Sequence, residues 1–430
     1  MKQIGVAILG FGTVGAGVAK GLLENRDVLR ERTGIDIELR RVADLDTTTD
    51  RGVALPPGVL GPDAAAAIAD PAVDVVVELI GGTGVAKKFV RAALEAGKPV
   101  VTANKKLLAE CGAELFALAA EKGVDLYFGA SVGGGIPIIR ALRDGLVGNR
   151  IETIYGILNG TCNYILTEME KAGKPFDEVL ADAQKLGFAE ADPTLDVDGF
   201  DTLHKAAILA ALAYGFSPDV HALPVQGIRG VVGARDIAEA KALGYRVKLL
   251  AVVKRDDDGL ELRVAPTLVP ESGMLGSVSG VFNAAMVKSD LDDWTLYYGR
   301  GAGRLPTAST VIGDIADVAR ALAAGTHRPF AVPVSASPVR VKSLGESRSR
   351  FYVRLALKDA PGSLAAATAA FAASGVSIRS AVQRGAGEDG FATVVVLTHE
   401  AVRSSVDAAL GKIASSGVSG AAPVCLGIEG

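Results

Sequence analysis

Cysteine is scarce in this chain: three in 430 residues, Cys111, Cys162 and Cys425. An odd and widely spaced set forms neither a disulfide framework nor a CxxC metal site, and it suits a reducing compartment. Long apolar runs are missing too, because Gly, Pro or charge interrupts each stretch short of the roughly 18 to 20 residues that span a bilayer. Nor does Met1 lead into an apolar core with a small-residue cleavage site, so neither anchor nor export is expected, and the expected location is cytoplasmic. Positive charge is not in excess. The 45 Lys and Arg against 49 Asp and Glu leave a formal net charge of −4 and no global field for nucleic acid or an anionic membrane surface. Aromatics are few at 5%, yet hydrophobic residues reach 49%, the usage of an ordinary globular protein. A chain of this length outgrows one core, so two or three domains are expected. Small-molecule chemistry is the class of function that remains.

The organisation follows from the hydrophobic rhythm. A short apolar segment at 3–9 meets Gly10-Phe11-Gly12-Thr13-Val14-Gly15, then an amphipathic stretch to residue 32: strand, tight turn, helix. Further strands are expected at 37–42, 73–80, 99–102 and 125–128, with helices at 85–96 and 106–122. Alternating β and α elements predict a Rossmann-type doubly wound parallel sheet over 1–130. A mixed α+β domain is expected over 131–340. Its strands lie at 151–158, 260–267, 280–288 and 295–299, and its helices at 161–172, 176–186 and 199–214. A last helix at 306–323, within 300–325, is expected to return to the first domain. The polar stretch 341–350 reads as a linker. Residues 350–430 read as a separate unit with strands at 351–357, 378–383, 392–398 and 423–427 and helices at 362–374 and 400–415. That is the ferredoxin-like order βαββαβ.

Several constellations carry chemistry. Gly10, Gly12 and Gly15 follow a strand and open a helix, where backbone N–H groups and the helix dipole face a pyrophosphate; a turn kept for packing is the plainer alternative. Asp44 ends the second strand, where a carboxylate accepts from ribose hydroxyls and repels a 2′-phosphate, a lean toward NAD. Arg40, Arg41 and Arg51 stand close enough in sequence to bind that phosphate instead, and a turn-initiating carboxylate is the simpler reading of Asp44. Gly81-Gly82-Thr83 would let backbone approach a nicotinamide ribose, with a flexible loop as the alternative. Lys105 follows the fourth strand at the ligand-binding edge, and a lysine at a helix start hints at a nearby anion, although a solvated lysine is the commoner explanation in isolation. The block 188–205 is strongly acidic until Lys205. Asp201 and Lys205, four apart, share a helix face; alone, such a pair is ordinarily solvated. A zwitterionic substrate needs carboxylates for its ammonium and an alcohol oxidation needs a base, and Glu190, Asp201 and Lys205 supply both. His204 points elsewhere and reads as structural. The glycine-rich 131–137 segment either offers carbonyls to a cation or turns the chain.

On these residues the chain resembles the homoserine dehydrogenase family over essentially its whole length. The resemblance runs through the 10–15 loop, Asn104-Lys105-Lys106, 131–137, Asn159-Gly160-Thr161-Cys162-Asn163-Tyr164, the 190–205 block, Gly299-Arg300-Gly301-Ala302-Gly303 and Pro306-Thr307-Ala308. It implies NAD- or NADP-dependent interconversion of L-homoserine and L-aspartate 4-semialdehyde in threonine, methionine and isoleucine biosynthesis. By the same resemblance Lys205, with Asp201 and Lys105, is catalytic, and Glu190, Asp196, Asp201 and Lys205 bind substrate. Gly10, Phe11, Gly12, Thr13, Val14, Gly15, Asp44, Thr83, Lys105, Gly301 and Ala302 bind cofactor. Carbonyls of Val132, Gly134 and Ile136 hold a monovalent cation such as sodium, although Gly129 stands where relatives commonly carry glutamate. Ala43 stands where NADP-preferring relatives often have a basic residue, so dual cofactor use is implied. The C-terminal unit resembles an ACT domain, through 358–364 and 376–383. In this family that implies threonine feedback and a homodimer or homotetramer, with a purely assembling domain as the alternative. A fingerprint starting at residue 10 leads to the expectation of a monofunctional form, with no aspartate kinase domain ahead of it. The competing readings are a Rossmann oxidoreductase of another small substrate and a non-enzymatic sensor of nucleotide and amino acid; homoserine-dependent activity separates them.

Overall fold

The computed structural model describes residues 1–327, 339–386 and 390–430; parts of the expected 131–340 and 350–430 domains therefore lie outside the described residues. The first layer comprises β1 (Lys2–Leu9), α1 (Thr13–Glu24), α2 (Arg26–Thr33), β2 (Ile35–Ala43), β3 (Leu60–Gly61), α3 (Ala64–Ala69), β4 (Val75–Glu78), α4 (Val85–Glu95), β5 (Val100–Thr102), α5 (Lys105–Lys122) and β6 (Leu126–Tyr127). Its six strands are all parallel, in the order β3-β2-β1-β4-β5-β6. The order reverses between β1 and β4, so the carboxyl ends of those two strands open the crevice in which such sheets bind ligands. This is the expected Rossmann-type sheet.

Its details differ from the sequence expectation where charge, not hydrophobic period, sets the boundary. The helix expected to reach residue 32 breaks at Asn25 into α1 and α2. Arg26 and Arg30 then clasp Asp36 of β2 at 2.8 and 2.7 Å. The strand expected over 73–80 narrows to β4, because the Glu78 carboxylate accepts from the N–H groups of Ile80 (2.8 Å) and Gly81 (3.0 Å) and turns the chain. β3 and α3 were not anticipated; α3 is nearly all alanine and shows no apolar period.

The second layer holds α6 (Ile138–Arg140), β7 (Ile151–Ile157), α7 (Gly160–Ala172), α8 (Phe176–Lys185), α9 (Thr194–Val197), α10 (Phe200–Tyr214), α11 (Ala234–Ala242), β8 (Tyr245–Asp256), β9 (Gly259–Pro270), β10 (Phe282–Ser289), β11 (Asp293–Arg300) and α12 (Arg304–Ala323). α10 is buried almost throughout. α12 crosses to the first layer, where Ala308, Val311, Ile315 and Val318 share one core with Ile8 of β1 and Val18 of α1. α11 and β8 were not expected. Arg246, Lys248, Lys254 and Arg255 disguise β8 as a polar stretch, yet the Lys248 ammonium is buried and donates to Asn163 Oδ1 at 3.1 Å and to the Val278 carbonyl at 2.5 Å.

The C-terminal part comprises β12 (Arg348–Lys358), α13 (Ser363–Ala372), β13 (Ile378–Ala386), β14 (Phe391–Thr398), β15 (Ala401–Val402), α14 (Arg403–Ser415) and β16 (Val424–Ile428). Setting aside the two-residue β15, this is the βαββαβ order, in a sheet running β16-β12-β14-β13. It is not a separate body. β16 pairs in parallel with β9, Gly427 opposite Thr267 and Ile428 opposite Leu268, so one sheet runs β11-β10-β7-β8-β9-β16-β12-β14-β13. The expected linker is likewise tied down. Val341 bridges to Leu260, Glu346 accepts from Ser343, and β12 already begins at Arg348. Among the described residues, no helix is long and apolar enough to cross a membrane.

Candidate active site

Four elements converge beside the crevice. Asp201 sits in the first turn of α10, where a carboxylate suits the helix dipole, and Lys205 follows one turn later. The Lys205 ammonium donates to Asp201 Oδ2 (2.7 Å) and to the carbonyl of Leu158 (2.6 Å), just past β7. The other oxygen of Asp201, Oδ1, lies 2.9 Å from the Lys105 ammonium at the start of α5. Asn159 caps α7 through its Oδ1, which accepts from the Cys162 N–H at 2.8 Å. Its amide nitrogen donates to Asp201 Oδ2 (2.9 Å) and Asp196 Oδ1 (2.7 Å). Asp201 and Lys205 are 5% and 7% exposed, which excludes the solvated surface pair. The anion that a lysine at a helix start called for is Asp201.

The electrostatics are uneven by design of burial. Burial pushes the Lys205 amine down from its ordinary value, and the nearby Lys105 charge adds to this while Asp201 opposes it. Burial alone would raise the Asp201 carboxyl, but the Lys205 and Lys105 charges outweigh it and hold the group well below the usual carboxylate range. The Asp201 charge raises Lys105 against its own desolvation. Asp196 moves up, through burial and then the Asp201 charge. One ionised aspartate thus holds two ammonium groups, and the buried one, Lys205, gives up its proton more easily than a lysine in water.

Glu190 is exposed at the rim; its carboxylate has no hydrogen-bond partner among the described residues, though its charge helps to raise Lys105. His204 faces away from the cluster, its Nε2 3.9 Å from Glu110 of α5, and burial lowers its pKa.

The crevice fits a dinucleotide. Gly10 adopts a φ of +96°, and a methyl at Gly15 would lie 2.0 Å from the Gly10 carbonyl oxygen. No heavy atom stands within 4 Å of where a Gly12 side chain would begin. The N-terminus of α1, which starts at Thr13 and Val14, has no side-chain cap and no acid in its first turn, so its N–H groups are open to an anion. Asp44 braces this loop: Oδ2 accepts from the Phe11 N–H (2.5 Å) and Oδ1 from the Asp46 N–H (2.9 Å). The turn-carboxylate role is therefore realised, and each oxygen retains further lone pairs. The nearby arginines are engaged elsewhere, Arg40 with Glu38 (2.9 Å), Arg41 with Asp70 (2.8 Å) and Arg51 with Asp46 (2.8 Å). Thr83 lies half-buried between β4 and α4, in a loop that Asn104 holds by donating to the Gly82 carbonyl at 2.7 Å. Gly301 is buried against the Asn283 amide, and Ala302 beside it is exposed.

Sequence reasoning assigned no role to Glu78, Asn104 or Asn159. Glu78 is fully buried and accepts from Thr102 Oγ1 at 2.6 Å, tying β4 to β5 beneath the site. A carboxylate inside an apolar run, and an asparagine standing between a strand and a helix, were the available signals.

Val132 and Ile136 are buried, as is Gly134, and the Ile136 carbonyl already accepts from the Ile138 N–H at 2.8 Å. The space beside Gly129 is filled from α12: the Gly129 N–H donates to Asp314 Oδ2 at 2.7 Å, and a Cβ at position 129 would lie 2.8 Å from that oxygen. Burial pushes the Asp314 carboxyl up to about 7, against the pull of the Gly129 N–H and of Arg140. A carboxyl with a raised folded pKa stabilises the fold below its ordinary 3.8, and that stability is lost as pH rises to 7. Asp314→Asn is therefore expected to gain on the wild type by up to roughly 4 kcal/mol between about pH 4 and about pH 8, measured by denaturant melts. Parallel pH curves for the two proteins would rule this out.

Comparison with known proteins identifies the family. The family model "Homoserine dehydrogenase, NAD binding domain" matches residues 10–129, "Homoserine dehydrogenase" matches 137–316, and "ACT domain" matches 351–415. A homoserine dehydrogenase of Neisseria gonorrhoeae is 45% identical over 418 residues, 96% of this chain and 95% of that one. A crystal structure of a homoserine dehydrogenase from Thiobacillus denitrificans superposes with a TM-score of 0.93 at 41% identity, over 100% of this chain and 99% of that one. A hyperthermophilic archaeal homoserine dehydrogenase in complex with NADPH gives 0.63 at 28% identity, over 74% and 97%. Identity above two-fifths, sustained end to end along both chains, exceeds what a shared fold alone produces, and this chain belongs to the homoserine dehydrogenase family, oxidoreductases with a nicotinamide cofactor domain and here a C-terminal ACT domain.

Proposed function

We propose that the chain interconverts L-homoserine and L-aspartate 4-semialdehyde, working chiefly as the reductase in threonine, methionine and isoleucine biosynthesis. The observation that carries this reading is the buried Lys205–Asp201 pair joined by the half-exposed Lys105 at the carboxyl edge of the cofactor sheet. A bound nicotinamide supplies the hydride that is exchanged with C4 of the substrate. In oxidation, Lys205 takes the hydroxyl proton as C4 loses hydride; in reduction its ammonium returns that proton to the forming alkoxide. Asp201 orients both lysines, Lys105 stands where cofactor and substrate meet, and Glu190 with Asp196 receives the substrate ammonium. Gly10 to Gly15 cradle the pyrophosphate, with Thr83, Gly301 and Ala302 closing around the nicotinamide half. Both NAD and NADP serve, NAD the better, since the Asp44 charge disfavours a 2′-phosphate and the neighbouring arginines are engaged. A monovalent cation such as sodium would rest on the carbonyls of Val132, Gly134 and Ile136 without a side chain from residue 129.

Threonine acts through the ACT domain of a homodimer or homotetramer in the cytoplasm; the terminal strands β11 and β13 of the long sheet have no outer neighbour among the described residues and suit pairing between copies. The test is homoserine-dependent reduction of NAD and NADP by purified protein, followed by absorbance, with and without threonine. Activity with both cofactors and a fall with threonine is the expected result. A folded protein inactive with both cofactors would move the sensor reading ahead of this one.

A further inference from the structure

A cavity of about 260 Å³ lies where the C-terminal unit meets the mixed sheet, away from the lysine cluster. One wall is catalytic-domain chain, including Val225, Ala265 and Pro266; the other includes Phe351, at the start of the C-terminal unit, and Arg403 of α14. The two arginines that line it differ in their commitments. Arg263 is held by two carboxylates, its Nε donating to Glu261 (2.6 Å) and its Nη2 to Glu429 (2.6 Å). Arg403 donates only its Nε, to Asp407 at 2.8 Å, and its guanidinium carbon lies 5.9 Å from the centre of the Phe351 ring. Its two terminal nitrogens have no protein acceptor among the described residues, and the side chain keeps 21% exposure. A planar pair of free donors above an apolar wall matches a carboxylate that carries a short apolar body.

The far side of the cavity wall is the catalytic block. Gln226 N donates to the Val264 carbonyl (2.8 Å) on the cavity side, and Ile228 N to the Val197 carbonyl (2.8 Å) at the end of α9. Between them, Gly227 presses so closely on this block that a methyl there would lie 2.1 Å from the Val197 carbonyl oxygen. Arg229 then clasps Asp198 through two bonds, at 3.0 and 2.5 Å. α9 carries Asp196, which shares the Asn159 amide with Asp201. Close-packed contacts of this kind transmit a displacement and do not absorb it.

We propose that this cavity binds a small amphipathic carboxylate of amino-acid size through Arg403, and that its occupancy reaches Asp196 and Asp201 through residues 225–229. The coupling rests on the dehydrogenase reading above; the binding does not, and the site is distinct from one between paired ACT units.

The test is isothermal titration of the full chain with L-threonine, L-isoleucine and butyrate, repeated on Arg403→Gln, on Ala265→Phe, which fills the cavity, and on Asp359→Ala in the ACT loop. At least one probe is expected to bind the wild type, to weaken roughly tenfold or more in both cavity variants, and to bind Asp359→Ala unchanged. The bound probe is expected to change homoserine turnover in the wild type and not in Arg403→Gln, whose basal rate is retained. Preferential binding of L-threonine or L-isoleucine over butyrate marks an amino-acid site, and equal binding a general carboxylate site. No binding by any probe overturns the proposal, as does binding that only Asp359→Ala abolishes. The two cavity variants alter opposite walls, so if melts show one to be misfolded the other still decides. Absence of homoserine turnover in the wild type strikes the dehydrogenase reading and leaves the binding result standing.

Discussion

Alanine in place of Lys205 is expected to lower homoserine turnover by roughly 10²- to 10⁴-fold, the range for loss of a positioned acid–base group. The loss should fall on kcat, with the KM values for substrate and cofactor changed little, because Asp201 keeps Lys105 and Asn159 as partners and the cluster remains charged. Some stability goes with it, about 1–3 kcal/mol, since the Leu158 carbonyl loses its donor in a buried place. Lys205→Arg separates charge from chemistry: it restores the cation but binds its proton too tightly to release it. The pH profile gives an independent reading. Burial lowers the Lys205 pKa from 10.5, so oxidation, which needs the neutral amine, rises with pH, while reduction, which needs the ammonium, falls. Both limbs should turn at one apparent pKa below 10.5 and both should vanish in the alanine variant. A variant that raised KM at unchanged kcat, or kept the pH limb, would make Lys205 a binding residue only.

What could be read from sequence and what could not divides along physical lines. The cofactor half was legible because its information is local: a strand, a glycine turn and a helix lie within some twenty residues, and parallel strands need helical crossovers of recognisable rhythm. Asp201 and Lys205 were legible as neighbours, since i,i+4 spacing fixes a shared face, but the spacing says nothing of solvent, and their burial comes from β7, α5 and α7 closing over them. β8 was lost because its basic residues mask the apolar pattern, and Lys248 is nonetheless buried with two oxygen partners. The union of β16 with β9 was also lost, because pairing two strands so far apart in the chain depends on edges that no local pattern announces. That union matters for function. It places the ACT helices and the catalytic block on one continuous sheet, so the regulation proposed above would run through paired strands.

The glycine loop offers the second large effect, and two substitutions three residues apart should act differently. At Gly15 a methyl would meet the Gly10 carbonyl oxygen at 2.0 Å, and backbone cannot give way as a side chain can, so α1 must shift from β1 or the loop must open. Gly15→Ala is expected to cost about 1–3 kcal/mol in stability, as overpacking does, and to raise the cofactor KM by roughly tenfold or more, since the N–H groups at the start of α1 no longer converge. At Gly12 the same methyl meets nothing within 4 Å, so the fold should melt as the wild type does. The space it enters is where a pyrophosphate would approach the helix, so cofactor affinity should still fall by roughly tenfold or more. Thermal melts and cofactor titration on the two variants therefore separate packing from binding. Wild-type affinity in Gly12→Ala would falsify the cradle, because open space at that point would then be serving no ligand, while reduced affinity with an unshifted melt assigns the loop to the cofactor independently of any turnover assay.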